Sequence, residues 1–200
     1  MTNIALDPSE RKWYDIAEKG EIALKDLENS LRFSVEEMCD KMEMILPGCS
    51  LNYPASSLCR MLDVRESDLD EAIANFCADF TKHYGALTAS PYDNGWCFTF
   101  SAEAVRELMQ HPIGGAFLKD VCRISATHHT PVEKWKEIFS RYGEAKLVSM
   151  QNQEYDWILY YPSGNPVSFV YCLKQDGTHI TSHRLEKVDF DDLFGNSVLK

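Results

Sequence analysis

Long apolar runs are missing from this chain: no stretch approaches the roughly eighteen residues that a membrane-spanning helix needs. The opening segment MTNIALDPSERKW has no apolar core of the kind a secretory leader carries. Together these set the expectation of a cytoplasmic protein that does not enter a membrane. Phosphate-cradling glycine patterns are missing too, with neither GxxxxGK(S/T) nor GxGxxG present, so no nucleotide site can be argued. No HExxH and no CxxC occur. The seven cysteines, at 39, 49, 59, 77, 97, 122 and 172, are odd in number and scattered, which fits reduced, mostly buried thiols better than a disulfide or metal framework.

Basic residues are also scarce. Twenty Lys and Arg stand against 31 Asp and Glu, a net charge of −11. Residues 1–129 hold 12 bases and 21 acids, and residues 130–200 hold 8 and 10. Nucleic-acid binding draws much of its affinity from phosphate neutralisation, so the imbalance disfavours it, as it disfavours adsorption to an anionic bilayer. What the chain has is a core. A hydrophobic content of 44%, with four Trp, nine Tyr and ten Phe, is enough for one domain or two small ones.

Asp7-Pro8-Ser9-Glu10 opens a helix with a cap, a first-turn proline and a capping box. Behind it Trp13, Ile16, Ala17, Ala23, Leu24, Leu27 and Leu31 recur at helical spacing, which predicts an amphipathic helix of about 24 residues. Ser34 with Glu37 predicts the start of a second helix, ended by Pro47-Gly48. SLNYP is a short extended piece. A helix from Ser56 or Ser57 through Leu58, Met61 and Leu62, the turn DVRE, and a helix from Ser67 to His83-Tyr84-Gly85 follow. ALTASPYDNGWCFTFS reads as a hairpin turning at Asn94-Gly95, and Ser101 caps a helix through Leu108.

That order matches a winged helix, with the hairpin where a wing would be. The expected organisation is α+β: a helical, winged-helix-like half over 1–112, a connector over 113–129 and a small α+β unit over 130–200. In the last, Thr130, Pro131 and Glu133 open one helix, which packs on three or four short antiparallel strands.

The helix-turn-helix outline raises DNA reading, and its charges argue against it. A reading helix presents donors to base edges and cations to phosphates. Asp63 to His83 instead holds Arg65 and Lys82 against Asp63, Glu66, Asp68, Asp70, Glu71 and Asp79. Acids in the first turn suit the helix dipole, so the fold alone explains them. DNA contact would require Arg60, Arg65, Lys82 and Arg106 to converge on one face. Nucleic-acid binding through Ser67–His83 is not expected.

Other constellations are thin. His179 and His183 share a strand face with Thr181, and two histidines do not complete a metal site. His128 and His129 sit in the connector. Cys172, His179 and Asp176 could approach across a hairpin, but FVYCLK reads as a packed strand and not as a nucleophile's surroundings. Tyr155, Trp157, Tyr161, Phe169 and Tyr171 either fill both faces of the sheet or line an apolar pocket between the halves. No catalytic residue, cofactor or metal ligand is therefore assigned.

The segments EYDWILYYP, FVYCLK and GTHITSHRL, with VEKWKEIFSRYG before them and LNYPASSLCRML upstream, resemble a bacterial domain family of unknown function about 180–200 residues long. The resemblance covers residues 30–195 and implies a cytoplasmic bacterial protein; the family has no activity to carry over. The expected role is non-enzymatic: a protein-interaction or regulatory module with a protein partner or self-association, the latter through the first helix. The alternatives are a DNA-binding transcriptional regulator, and a ligand sensor or enzyme using the C-terminal sheet.

Overall fold

A computed structural model describes residues 8–150, 154–164 and 166–195, with side chains from residue 25 onward. The Asp7 cap and the packing of Trp13, Ile16, Ala17, Ala23 and Leu24 lie outside that range. Helices and antiparallel sheets are both present, the α+β class expected. None of the described helices is long and apolar enough to cross a membrane.

Two compact units are distinguished: residues up to Ser34 with Leu46–Gln110, and Val35–Ile45 with the chain from His111. Helix α1 spans Pro8–Met42 without a break, where two helices were expected. Ser34 does not start a new helix. Its hydroxyl donates to the Ser30 carbonyl one turn back at 2.9 Å, the alternative open to any mid-helix serine, and no breaker precedes it.

In the first unit, α1 is followed by β1 (Gly48–Pro54), α2 (Ala55–Leu62), a short 3-10 turn (Glu66–Asp68), α3 (Leu69–Tyr84), β2 (Leu87–Tyr92), β3 (Gly95–Ser101) and α4 (Ala102–Gln110). The sheet order is β1-β3-β2. The extended piece SLNYP is therefore a true strand, pairing antiparallel with β3 from Gly48↔Ser101 to Pro54↔Gly95. Asn94-Gly95 does lie at the hairpin turn, where Asp93 takes φ +53°. Gly95 has a second reason to be glycine: a Cβ there would lie 2.1 Å from the Tyr53 carbonyl oxygen. Ser101 caps α4 as expected, accepting from the Ala104 N–H at 3.1 Å.

Leu58, Met61, Leu62, Leu69, Ile73, Phe76 and Phe80 are buried, with Phe98 and Phe100 of β3. The rings interlock edge to face, Phe76 on Phe98 at 6.4 Å and Phe80 on Phe100 at 5.7 Å. The end of α3 is tied to α1 by polar contacts. Tyr84 Oη donates to Glu28 Oε1 at 2.7 Å, and Arg32 donates to both at 3.0 and 3.1 Å.

The second unit holds the end of α1, α5 (Gly115–Ser125), α6 (Val132–Ser140), the strands β4 (Lys146–Ser149), β5 (Trp157–Tyr160), β6 (Val170–Asp176) and β7 (His179–Leu185), and α7 (Lys187–Phe194). The four strands pair in sequence order, all antiparallel. Thr130 does not cap α6; its hydroxyl donates to the Thr127 and His128 carbonyls. Alternation along β6 sorts the two faces. Tyr171 meets Phe117 of α5 at 6.1 Å and Phe139 of α6 at 5.0 Å. Val170 and Cys172 turn the other way, into a cluster with Ile158, Tyr160, Tyr155 and Phe190. Phe190 belongs to α7, so the sheet carries more than the one helix expected from the sequence.

Candidate functional site

The segment that most invites a functional reading is α2–turn–α3 with its hairpin. Burying Leu69, Ile73, Phe76, Cys77 and Phe80 fixes which side of α3 faces water. That side presents Asp70, Glu71, Ala74, Asn75, Ala78, Asp79 and Lys82, all exposed. Lys82, its single Lys or Arg, pairs with Asp79 of the same face at 3.4 Å. Just upstream Arg65 forks onto Asp68 through Nε and Nη2, both at 3.1 Å. Hydrogen bonds from the Ser67 hydroxyl and the Arg65 guanidinium hold the Asp68 carboxyl below its usual range.

The four cations named for DNA contact are spread over separate elements. Arg60 lies on α2, Arg65 before α3, Lys82 in its last turn and Arg106 on α4. Arg65 precedes α3 and Lys82 lies in its last turn, which puts about 20 Å of helix axis between them. The hairpin adds no cation. Its tip carries Tyr92, 58% exposed, beside the exposed Asp93 and Asn94. The result is an acidic helix face and a hairpin without a cation, ending in one aromatic ring and one carboxylate.

In the second unit the structure separates the residues that a nucleophile would need. Cys172 is fully buried, and burial pushes its thiol up to about 12. His183 is its cross-strand neighbour, yet His183 is exposed and its Nδ1 lies 3.3 Å from the Tyr155 hydroxyl. His179 pairs in register with exposed Asp176, and its ring lies 5.0 Å from that of His128. Among the described residues no three His, Cys, Asp or Glu side chains gather in a way that could hold a metal ion. Tyr155, Tyr161, Phe169 and Tyr171 are buried within this unit, and Trp157 is half-buried. The Tyr161 ring stacks on Phe139 at 5.6 Å, and its hydroxyl donates to the Phe139 carbonyl at 2.7 Å.

All seven cysteines carry free thiols, and their burial ranks them. Cys77 and Cys122 are pushed up to about 11, chiefly by burial, which disfavours the thiolate. Brief iodoacetamide treatment at pH 8 is expected to label Cys49 and Cys97, both half-buried, and to leave Cys172 and Cys77 unmodified in a peptide map. Early modification of Cys172 would contradict its burial.

One feature of this unit escaped the sequence reading altogether. Glu36, on the last turns of α1, is 3% exposed. Its Oε2 accepts the N–H groups of Ile113 and Gly114 at 3.0 and 2.8 Å, and its Oε1 that of Gly115 at 2.6 Å. A distant carboxylate thus ties down the entry to α5, satisfying the N–H groups of its N-cap Gly114 and first residue Gly115, which the helix itself leaves open, with that of Ile113 just before them. The neighbouring Glu37 meets Arg184 of β7 at 3.4 Å, and the Arg184 guanidinium lies over the Phe169 ring at 4.3 Å.

Residues 24–194 match the family model described as "Domain of unknown function, E. rectale Gene description (DUF3877)". No curated protein and no solved structure matches the chain. The match covers most of the sequence, and the chain belongs to that family.

Proposed function

We propose that this member of the DUF3877 family is a non-enzymatic protein-interaction or regulatory module, built on a winged-helix-like scaffold and engaging a partner with a basic surface. The element order α1-β1-α2-α3-β2-β3 and the sheet order β1-β3-β2 support the scaffold reading. The outward face of α3 carries the functional one. Where a groove-reading helix places donors and cations, this helix has Asp70, Glu71 and Asp79 against a single Lys82 already paired in place. Such a face repels phosphate and complements Lys and Arg on a protein. It also repels a second copy of itself, so the partner is a different surface.

Reversing Asp70, Glu71 and Asp79 to lysine tests this. Affinity capture from the source cells is expected to lose a salt-sensitive partner with the triple variant while circular dichroism stays unchanged. Wild-type protein is expected to leave random duplex DNA unshifted in a gel at 50 mM salt. DNA retention by the wild-type chain that disappears when Arg60, Arg65, Lys82 and Arg106 become alanine would overturn the reading in favour of a DNA-binding regulator.

A further inference from the structure

The second unit has a cleft whose chemistry the acidic helix does not explain. It lies between α5 and α6 and has a volume of about 300 Å³, at the small end of the range for ligand pockets, roughly 300–1,000 Å³. Residues 120, 124 and 127, from α5 onward, follow helical spacing, as do 134, 138 and 141 from α6, so two stripes face each other across it. Buried Ile124 and Ile138 make an apolar floor. Around them stand Arg123, Lys134 and Arg141, against the single lining carboxylate of Asp120.

That carboxylate is already committed. Asp120 accepts from the Tyr142 hydroxyl at 2.9 Å and lies 3.1 Å from Arg123 and 3.6 Å from Arg141. The cations, in contrast, can be redirected. Arg123, Lys134 and Arg141 are 78%, 46% and 50% exposed, and their present partners are Asp120 and the exposed Glu137, which does not line the cleft. Exposed pairs of this kind contribute about 0–1 kcal/mol, so exchanging one for a ligand's charge costs little. The hydroxyls of Thr127 and Thr130 donate to backbone carbonyls, which leaves the cations as the groups able to select an anion. In a protein of net charge −11, a lining with three cations and one acid is a local reversal of sign.

We infer that this cleft binds a small amphiphilic carboxylate: an apolar chain or ring lies on Ile124 and Ile138 while its carboxylate is held by Arg123, Lys134 and Arg141. The apolar floor gives inorganic phosphate no advantage. A fork-shaped guanidinium matches a carboxylate's two oxygens, which favours the carboxylate as head group.

Octanoate is the probe, titrated into the full chain labelled with ¹⁵N in a carboxylate-free buffer. Saturable amide shifts confined to residues 120–141 are expected. 1-Octanol, with the same chain and no charge, is expected to bind about tenfold more weakly, since it forgoes the charge-assisted bonds. The surface double variant R123A/K134A, its fold checked by circular dichroism, is expected to lose about tenfold in octanoate affinity and to bind octanol unchanged. Three results would overturn the inference: shifts that never saturate, shifts centred outside 120–141, or equal affinity for octanoate and octanol. The test does not involve α3, so its failure leaves the proposed partner surface standing.

Discussion

Replacing Phe190 with alanine is expected to destabilise the second unit by about 3–5 kcal/mol, the range for emptying a fully buried aromatic site. Phe190 is fully buried against Ile158, Tyr160, Val170 and Cys172, on the sheet face that turns away from Phe117 and Phe139. It is the sole buried residue of α7. An eight-residue helix is marginal by itself in water, so α7 exists because this ring docks it. Phe194 adds to the contact, 4.9 Å from Phe190 and 6.0 Å from Tyr155. Urea unfolding followed by a probe in the second unit measures the loss, and hydrogen exchange should show β5 and β6 deprotected in the variant. Leu193→Ala is the control: this side chain is 67% exposed, and its loss should change stability by about 0.5 kcal/mol or less. A Phe190→Ala effect below about 1 kcal/mol would mean that α7 does not cover the sheet, because even modest core truncations exceed that.

The same helix illustrates where the sequence stopped being readable. KVDFDDLF gives apolar residues at 188, 190, 193 and 194 among three aspartates, which is neither a clean helical stripe nor a strand alternation. Its one legible hint was Phe190 and Phe194, four apart. The Asp93–Gly95 turn and the Ser101 cap were legible because each rests on contacts a few residues apart, and strands β5 to β7 because each pairs with its neighbour in sequence, no more than 16 residues away. The pairing of β1 with β3 spans more than forty residues and left no local trace beyond an extended piece. Ser34 misled for a related reason. Its type and the Glu37 beyond it look like a capping box, but only the continuity of α1 decides whether its hydroxyl points forward to an N–H or back to a carbonyl.

The acidic face of α3 was legible in full, since composition sets it and the buried stripe orients it. The cleft between α5 and α6 was not. Arg123, Lys134 and Arg141 are separated by 7 to 18 positions and interleaved with acids, so along the chain they look like an ordinary solvated surface. Only the packing of the two helices puts Asp120 with Tyr142 and leaves three cations around two isoleucines.

Glu36 reaches 77 to 79 residues along the chain to the groups it binds, and its removal is the other large expected effect. Glu36→Ala should cost about 3 kcal/mol, because it strips the acceptor from three N–H groups at once and an unpaired buried donor costs about 1–3 kcal/mol. The three costs do not add in full, since water can reach part of the opened site. Charge contributes as well, since a carboxylate at a helix N-terminus meets the positive end of the dipole. Glu36→Gln separates the two contributions. The amide keeps the shape and one oxygen but turns an NH₂ toward groups that are themselves donors, so it should recover less than half of the loss. Gly115, at φ +50°, gives the reason for glycine at that position: the chain must bend into a left-handed conformation there to aim successive N–H groups at one carboxylate, while Gly114 keeps a right-handed helical backbone. Equilibrium unfolding measures the loss, and hydrogen exchange should find the first turn of α5 opening before the sheet does. If Glu36→Ala unfolds at the wild-type denaturant midpoint, water caps the helix equally well and the buried carboxylate does not stabilise this end of α5.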